Sequence, residues 1–360
     1  MGADSMRAEE SIRLGMRTKV LTDARLAYLR QIGVSDVYVD PEPAGSSPET
    51  LQFGEDHVPS VERLERLNQR LTDAGLRFSG LHSIPISAYD KILFDEPGKW
   101  NQMNSLVELT RNLGRADIPI LGYKWMAGEV QRTTHEERVR GGARAASFDE
   151  EDTVRNDEKT KHDVSEEELW RNYQMFLDEI VPVAEEEGVR LAVHPADPPL
   201  YEKLDGTASL LRNRDHFERA MDITESPSHG IKLCLGCFSE MGEDVVDVVR
   251  HFGERDEIVF VHFRDVIGTV PRFTETFLDD PRSNYDETSV IRALKEVGFK
   301  GSVNPDHVPR VNGDVSWDEP NSESMDGYPK GGPRARAYTA GYIRGLLRNI
   351  DREGTTTDES

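Results

Sequence analysis

Eight short runs rich in β-branched and aliphatic residues alternate with longer amphipathic segments along this 360-residue chain, and that alternation limits the fold more than any other feature. The strand-like runs are MRTKV near Met16, VSDVYVD from Val34, LRFSGLHSI from Leu76, IPILGYKW from Ile118, VRLAVHP from Val189, GIKLCLG from Gly230, EIVFVHFRD from Glu257 and GSVNPDH from Gly301. Between them lie TDARLAYLRQIG, SVERLERLNQRLTDAG, NSLVELTRNLG, SEEELWRNYQMFLDEIVPVAEEEG and TSVIRALKEVG, several opening on Ser, Thr or Asn and closing at Gly, which is helix-cap chemistry. Eight strand–helix units in one chain predict an α/β fold, a single-domain (β/α)8 TIM barrel over residues 16–350. A doubly wound open sheet is the alternative, weakened because no G-x-G-x-x-G turn follows the first strand. Residues 1–15 read as an N-terminal extension and 351–360 as a disordered tail. The polar stretch 127–165 carries no strand pattern and follows the fourth strand, so it is expected to overhang the catalytic face as a lid.

Charge narrows the function. With 67 Asp and Glu against 44 Lys and Arg, the net charge is -23, and no basic stripe is available to displace counterions from a nucleic acid. Anionic membrane surfaces are disfavoured for the same reason, and neither a spanning apolar run nor a signal-peptide pattern is present, so a soluble, cytoplasmic protein is expected. Only 11 of the 44 basic residues are Lys. Abundant carboxylates with depleted lysine suggest a high-salt cytoplasm, where screening relieves self-repulsion. The two cysteines, Cys234 and Cys237, lie too close together to staple a fold.

The chemistry-bearing residues fall at strand ends. His194 ends RLAVHP, Cys234 ends IKLC, His262 sits in VFVHF and Asp306 closes SVNPD, on four consecutive strands. Singly, each reads as a buried core residue. In a barrel, however, consecutive strands deliver their C-terminal side chains to one face, so the four are expected to converge on one ion. Two imidazoles, a thiolate and a carboxylate suit a first-row divalent metal better than Mg or Ca.

HSIP at His82, RNLGRADIPILGYKWM, QRT at Gln131, HPADPP at His194, LCLG at Leu233, HFRDVIGT at His262, NPDHVPR at Asn304 and GYP followed by RARAYTAGYIRGLL together resemble the mannonate dehydratase family, metal-dependent barrels of the xylose-isomerase-like superfamily. The resemblance implies a hydro-lyase that dehydrates D-mannonate to 2-keto-3-deoxy-D-gluconate with one Mn2+ or Fe2+ per chain. It implies the same four metal ligands, with Cys234 at the Cys of a C-x-G-S pattern and Cys237 in place of the Ser. It also implies His307 and Tyr328 as the acid–base pair. Arg264 and Arg336 are candidates for binding the substrate carboxylate or hydroxyls through their guanidinium forks, and His82 for a further substrate contact. The implied partner is a small sugar acid, and a homodimer is compatible with the pattern. Ala196, Lys124 and Asn304 depart from it, which leaves the metal chemistry in place and the identity of the sugar acid open. A sugar isomerase or epimerase on the same metal barrel is the enzymatic alternative, and a non-catalytic sugar-acid-binding protein the other.

Overall fold

The computed structural model describes residues 11–43, 50–126, 130–153, 162–200, 207–317 and 330–357. Twelve strands are found among them: β1 (Arg13–Thr18), β2 (Asp36–Val39), β3 (Arg77–Leu81), β4 (Ile120–Lys124), β5 (Thr134–Arg138), β6 (Arg144–Asp149), β7 (Arg190–His194), β8 (His229–Cys234), β9 (Ile258–Phe263), β10 (Val266–Thr269), β11 (Arg272–Glu275) and β12 (Ser302–Pro305). Eight of them, β1, β2, β3, β4, β7, β8, β9 and β12, follow one another around a closed, all-parallel barrel, with β12 pairing back onto β1. Each corresponds to one of the eight runs expected from the sequence.

Helices separate the strands, and their ends follow the expected chemistry. Thr22, Ser60 and Asn213 each accept a backbone N–H at the start of a helix, and Ser165 forms a reciprocal capping box with Glu168 at the start of Glu166–Glu187, which ends at Gly188 in the left-handed region. Buried leucines of Val61–Asp73 (Leu64, Leu67 and Leu71) recur at three- and four-residue spacing and join the aliphatic core around the barrel. No helix among the described residues is long and apolar enough to cross a membrane.

Two features differ from expectation. The stretch 127–165 contains β5 and β6, which join the β10–β11 hairpin in a separate four-stranded antiparallel sheet. Phe148 pairs with Phe273 across it, their ring centroids 5.6 Å apart. The pairing partner is remote in sequence and β5, THEER, is largely exposed, so no local alternation announced these strands. The boundaries also shift. Strand β1 begins at Arg13, inside the expected extension, and the helix Pro333–Thr357 continues past residue 350.

Close packing at one barrel seam positions the site. A Cβ at Gly122 on β4 would lie 2.0 Å from the carbonyl oxygen of His82, so only glycine lets β4 approach the end of β3. The same carbonyl accepts a 2.7 Å hydrogen bond from Lys232 Nζ, which rises fully buried from β8 and also donates to Ser83 Oγ at 2.6 Å.

Candidate active site

The parallel register sets the strand-end residues side by side. Cys234 on β8 is level with His262 on β9, and His262 is level with Asn304 on β12, two residues before Asp306. His194, Cys234, His262 and Asp306 are all buried. Donor atoms of Cys234, His262 and Asp306 lie within 4.8 Å of one another, as do those of His194, Cys234 and Cys237. Cys234 is thus the corner shared by two groups of metal-capable side chains.

Proton placement explains why a cation suits this cluster. His194 Nδ1 lies 2.7 Å from the Pro195 carbonyl, which can only accept, so Nδ1 carries the proton and Nε2 keeps its lone pair. A second chain runs through His82. Its Nδ1 donates to Asp40 Oδ1 at 2.7 Å, and its Nε2 meets His262 Nε2 at 2.8 Å. Burial pushes His82 well below the usual imidazole range, so its Nε2 is a bare acceptor and His262 must supply the proton from Nε2. That leaves His262 Nδ1 as the ring atom facing Asp306, 3.3 Å from its Oδ2. Burial alone would raise Asp306, yet His307 and His262 hold it well below the ordinary carboxylate range. A ring nitrogen and a carboxylate oxygen facing each other in a buried site can hold one cation between them. Burial likewise opposes ionisation of Cys234, but hydrogen bonding from Cys237, the Arg264 charge and the two histidines lower it well below a free thiol. Cys237 is pushed up by burial and by that neighbouring thiolate. The surroundings thus favour ionisation at Cys234 and oppose it at Cys237.

Beside the cluster lies a cavity of about 560 Å³. Its lining includes Arg17, Lys19, Lys124, Arg132 and Lys330 against the carboxylates Asp40, Glu42 and Glu275. Three of the chain's 11 lysines thus face one cavity in a protein of net charge -23. Lys330 is pushed down to about 8, first by burial and then by Arg17, which shows how closely the cations are gathered. Such a wall attracts a small anion.

Residues 151–357, more than half of the chain, match the sequence model of the D-mannonate dehydratase (UxuA) family. The chain belongs to this family. A mannonate dehydratase of Streptococcus agalactiae serotype V is 29% identical, the match covering 81% of this chain and 87% of that protein. Mannonate dehydratase 2 of Halalkalibacterium halodurans is 26% identical over 94% of this chain and 99% of its own length. Among solved structures, the mannonate dehydratase of Streptococcus suis serotype 2 superposes with a TM-score of 0.82 at 24% identity, covering 95% of this chain and 96% of that one. An L-ribulose 3-epimerase superposes with a TM-score of 0.60 at 14% identity, covering 96% and 98%. At these identities the two structures speak for the shared barrel alone.

Within this mannonate dehydratase family barrel, the other expected site residues divide. His307 lines the cavity and hydrogen-bonds through Nδ1 to Glu275 Oε1. Tyr328 lies outside the described residues. Arg264 and Arg336, the candidates for binding the substrate carboxylate or hydroxyls, sit among the protein's own groups. Arg264 is buried, giving Nη1 to Glu240 at 2.7 Å and Nη2 to Asp197 at 2.9 Å and Cys237 Sγ at 3.3 Å, so its fork is occupied by the protein's own groups. Arg336 is fully buried over the Trp317 ring, 4.7 Å from its centroid, with Nη1 3.8 Å from Met16 Sδ, and it is not among the cavity-lining residues. His82 does reach the cavity wall, but both ring nitrogens are engaged, by Asp40 and His262, so it supports His262 instead of offering a ring N–H to substrate.

Sequence reasoning missed Asp40, Arg132, Glu275 and Lys330. Lys330 had a usable signal, a lysine directly after GYP in a lysine-poor chain, and Arg132 lies in the QRT stretch. Asp40 and Glu275 stand next to no motif, and only the fold brings them to the site.

Proposed function

We propose that this chain dehydrates D-mannonate to 2-keto-3-deoxy-D-gluconate, with one divalent ion, Mn2+ or Fe2+, held by His194, Cys234, His262 and Asp306. The observation that carries the reading is the pairing of a lysine- and arginine-lined cavity with a buried cluster of metal-capable groups that share Cys234, in a chain of the mannonate dehydratase family.

The reaction removes the proton on C2, beside the carboxylate, and expels the hydroxyl on C3. A carboxylate is a poor carbon acid, because its negative charge opposes a second one forming next to it. A divalent ion, when bound, supplies Lewis-acid stabilisation of that developing charge, an effect of several kcal/mol. The chain's own groups do the rest. The basic cavity wall draws the anionic end of the substrate in. His307, on the wall and directly after Asp306, gives a proton to the departing hydroxyl, while Tyr328 takes the C2 proton. Asp40 and His82 keep the His262 ring in its tautomer, as the Pro195 carbonyl does for His194.

The test is turnover of a small panel of aldonic acids by the metal-loaded protein, with metal content measured on the same sample. Formation of a keto-deoxy acid from D-mannonate supports the reading. Conversion to an isomer or epimer without loss of water would replace it by isomerase chemistry on the same barrel, and substrate recovered bound but unchanged would replace it by a binding role.

A further inference from the structure

We propose that Glu275 is a positioning residue that acts through His307, so that the accessory sheet, and not the barrel alone, sets the orientation of the proton-transferring imidazole. The kinetic part of this inference rests on the dehydratase reading above, whereas its structural part does not.

Glu275 ends β11, paired with Val266 of β10, and is 2% exposed. Its Oε1 is a single acceptor for two neighbours: Arg132 donates to it from Nε at 3.0 Å and from Nη2 at 2.7 Å, and His307 approaches it through Nδ1. Arg132 Nη2 also lies 3.4 Å from His307 Nδ1. An arginine can only donate and an ionised carboxylate can only accept. The arrangement is consistent in one way: His307 Nδ1 is protonated, and Oε1 accepts from both neighbours. His307 Nε2 is then the ring atom left for chemistry, 3.8 Å from Asp306 Oδ2.

Arg132 is itself fixed from the other side, since its Nη1 donates to Asp197 Oδ1 at 2.6 Å. The chain Asp197–Arg132–Glu275–His307 therefore links the segment after β7, the insertion after β4, the hairpin after β9 and the segment after β12. His307 also holds a left-handed backbone, φ 43°, unusual for a residue with a side chain and retained only where surrounding contacts over-determine it. The two side chains that hydrogen-bond Glu275, Arg132 and His307, both line the cavity.

Two measurements test this. In Zn2+-loaded protein with 15N-labelled histidine, His307 Nδ1 is expected to be the protonated, hydrogen-bonded ring nitrogen in the wild type, leaving Nε2 to carry the proton that is transferred, and to lose that preference in Glu275→Ala. An unchanged ring would overturn the proposal. In the kinetic arm, Glu275→Gln is expected to lower kcat about 10- to 100-fold with metal content retained and KM little changed, the usual cost of losing an orienting partner. In a His307→Asn background the same substitution should add no further loss, because residues acting through one group are not additive. Additive losses in the double variant would overturn the proposal. If the wild type fails to dehydrate D-mannonate, the dehydratase reading fails and the ring measurement alone decides the role of Glu275.

Discussion

His262 Nδ1 and Asp306 Oδ2 face each other across 3.3 Å inside the protein, a pair that a proton or a metal ion can bridge. An unprotonated imidazole nitrogen and a carboxylate oxygen repel unless something positive joins them. The arrangement can be traced outward, from His262 to His82 and from His82 to Asp40 just after β2, whose carboxylate orients the His82 ring and through it His262.

Asp40→Asn should therefore weaken metal binding without touching the metal. An amide can present an N–H to His82 and reverse the order of tautomers. The expected loss is about 10- to 100-fold in affinity. Competition against a chromophoric chelator measures it, and an affinity equal to wild type would separate Asp40 from the metal site.

The two cysteines should behave differently. Cys234→Ser is expected to leave the protein without stoichiometric metal after dialysis against a chelator. Cys237→Ser should retain it, with affinity lowered by no more than about tenfold, because a serine hydroxyl can replace the supporting S–H donor. Equal losses from both variants would place Cys237 among the ligands.

Stability should carry a signature of Glu287, at the start of the helix Glu287–Glu296. Burial pushes its carboxyl up to about 7 from an ordinary value of 4.5. A raised carboxyl binds more protons in the folded state than in the unfolded one, so its contribution is fully present below about 4.5 and is lost as pH rises through about 7. Denaturant midpoints at pH 5 and pH 8 should therefore differ between wild type and Glu287→Gln. The variant is expected to lose less stability than the wild type on going to pH 8. An identical change in both proteins would show that Glu287 does not titrate in this window.

Salt should stabilise the fold. At a net charge of -23, unscreened carboxylate repulsion weakens the compact state, and added salt shortens its reach. The unfolding midpoint is expected to rise from dilute to multimolar KCl. A flat or falling midpoint would remove the link between the acidic surface and a high-salt interior.

Much of this was legible in the sequence, and the reason is periodicity. The eight barrel strands are buried on both faces and read as apolar runs, and parallel order then places His194, Cys234, His262 and Asp306 on one face without further information. What stayed hidden depends on non-local pairing. β6 and β11 find each other across more than a hundred residues, and only that pairing brings Glu275 and Arg132 to His307. The arginines show the same limit. A guanidinium fork in a motif says that a carboxylate is near, but not whose it is, and Arg264 meets Glu240 and Asp197 of its own chain.

Metal-dependent dehydration is tested by incubation of the Mn2+-loaded protein with D-mannonate, followed by NMR for the C3 methylene of a 2-keto-3-deoxy acid. This product is expected to accumulate, its formation stopping on chelation and resuming when Mn2+ or Fe2+ is restored. D-Mannonate recovered intact in the presence of stoichiometric metal, or converted to an isomer that retains all its hydroxyls, would contradict it.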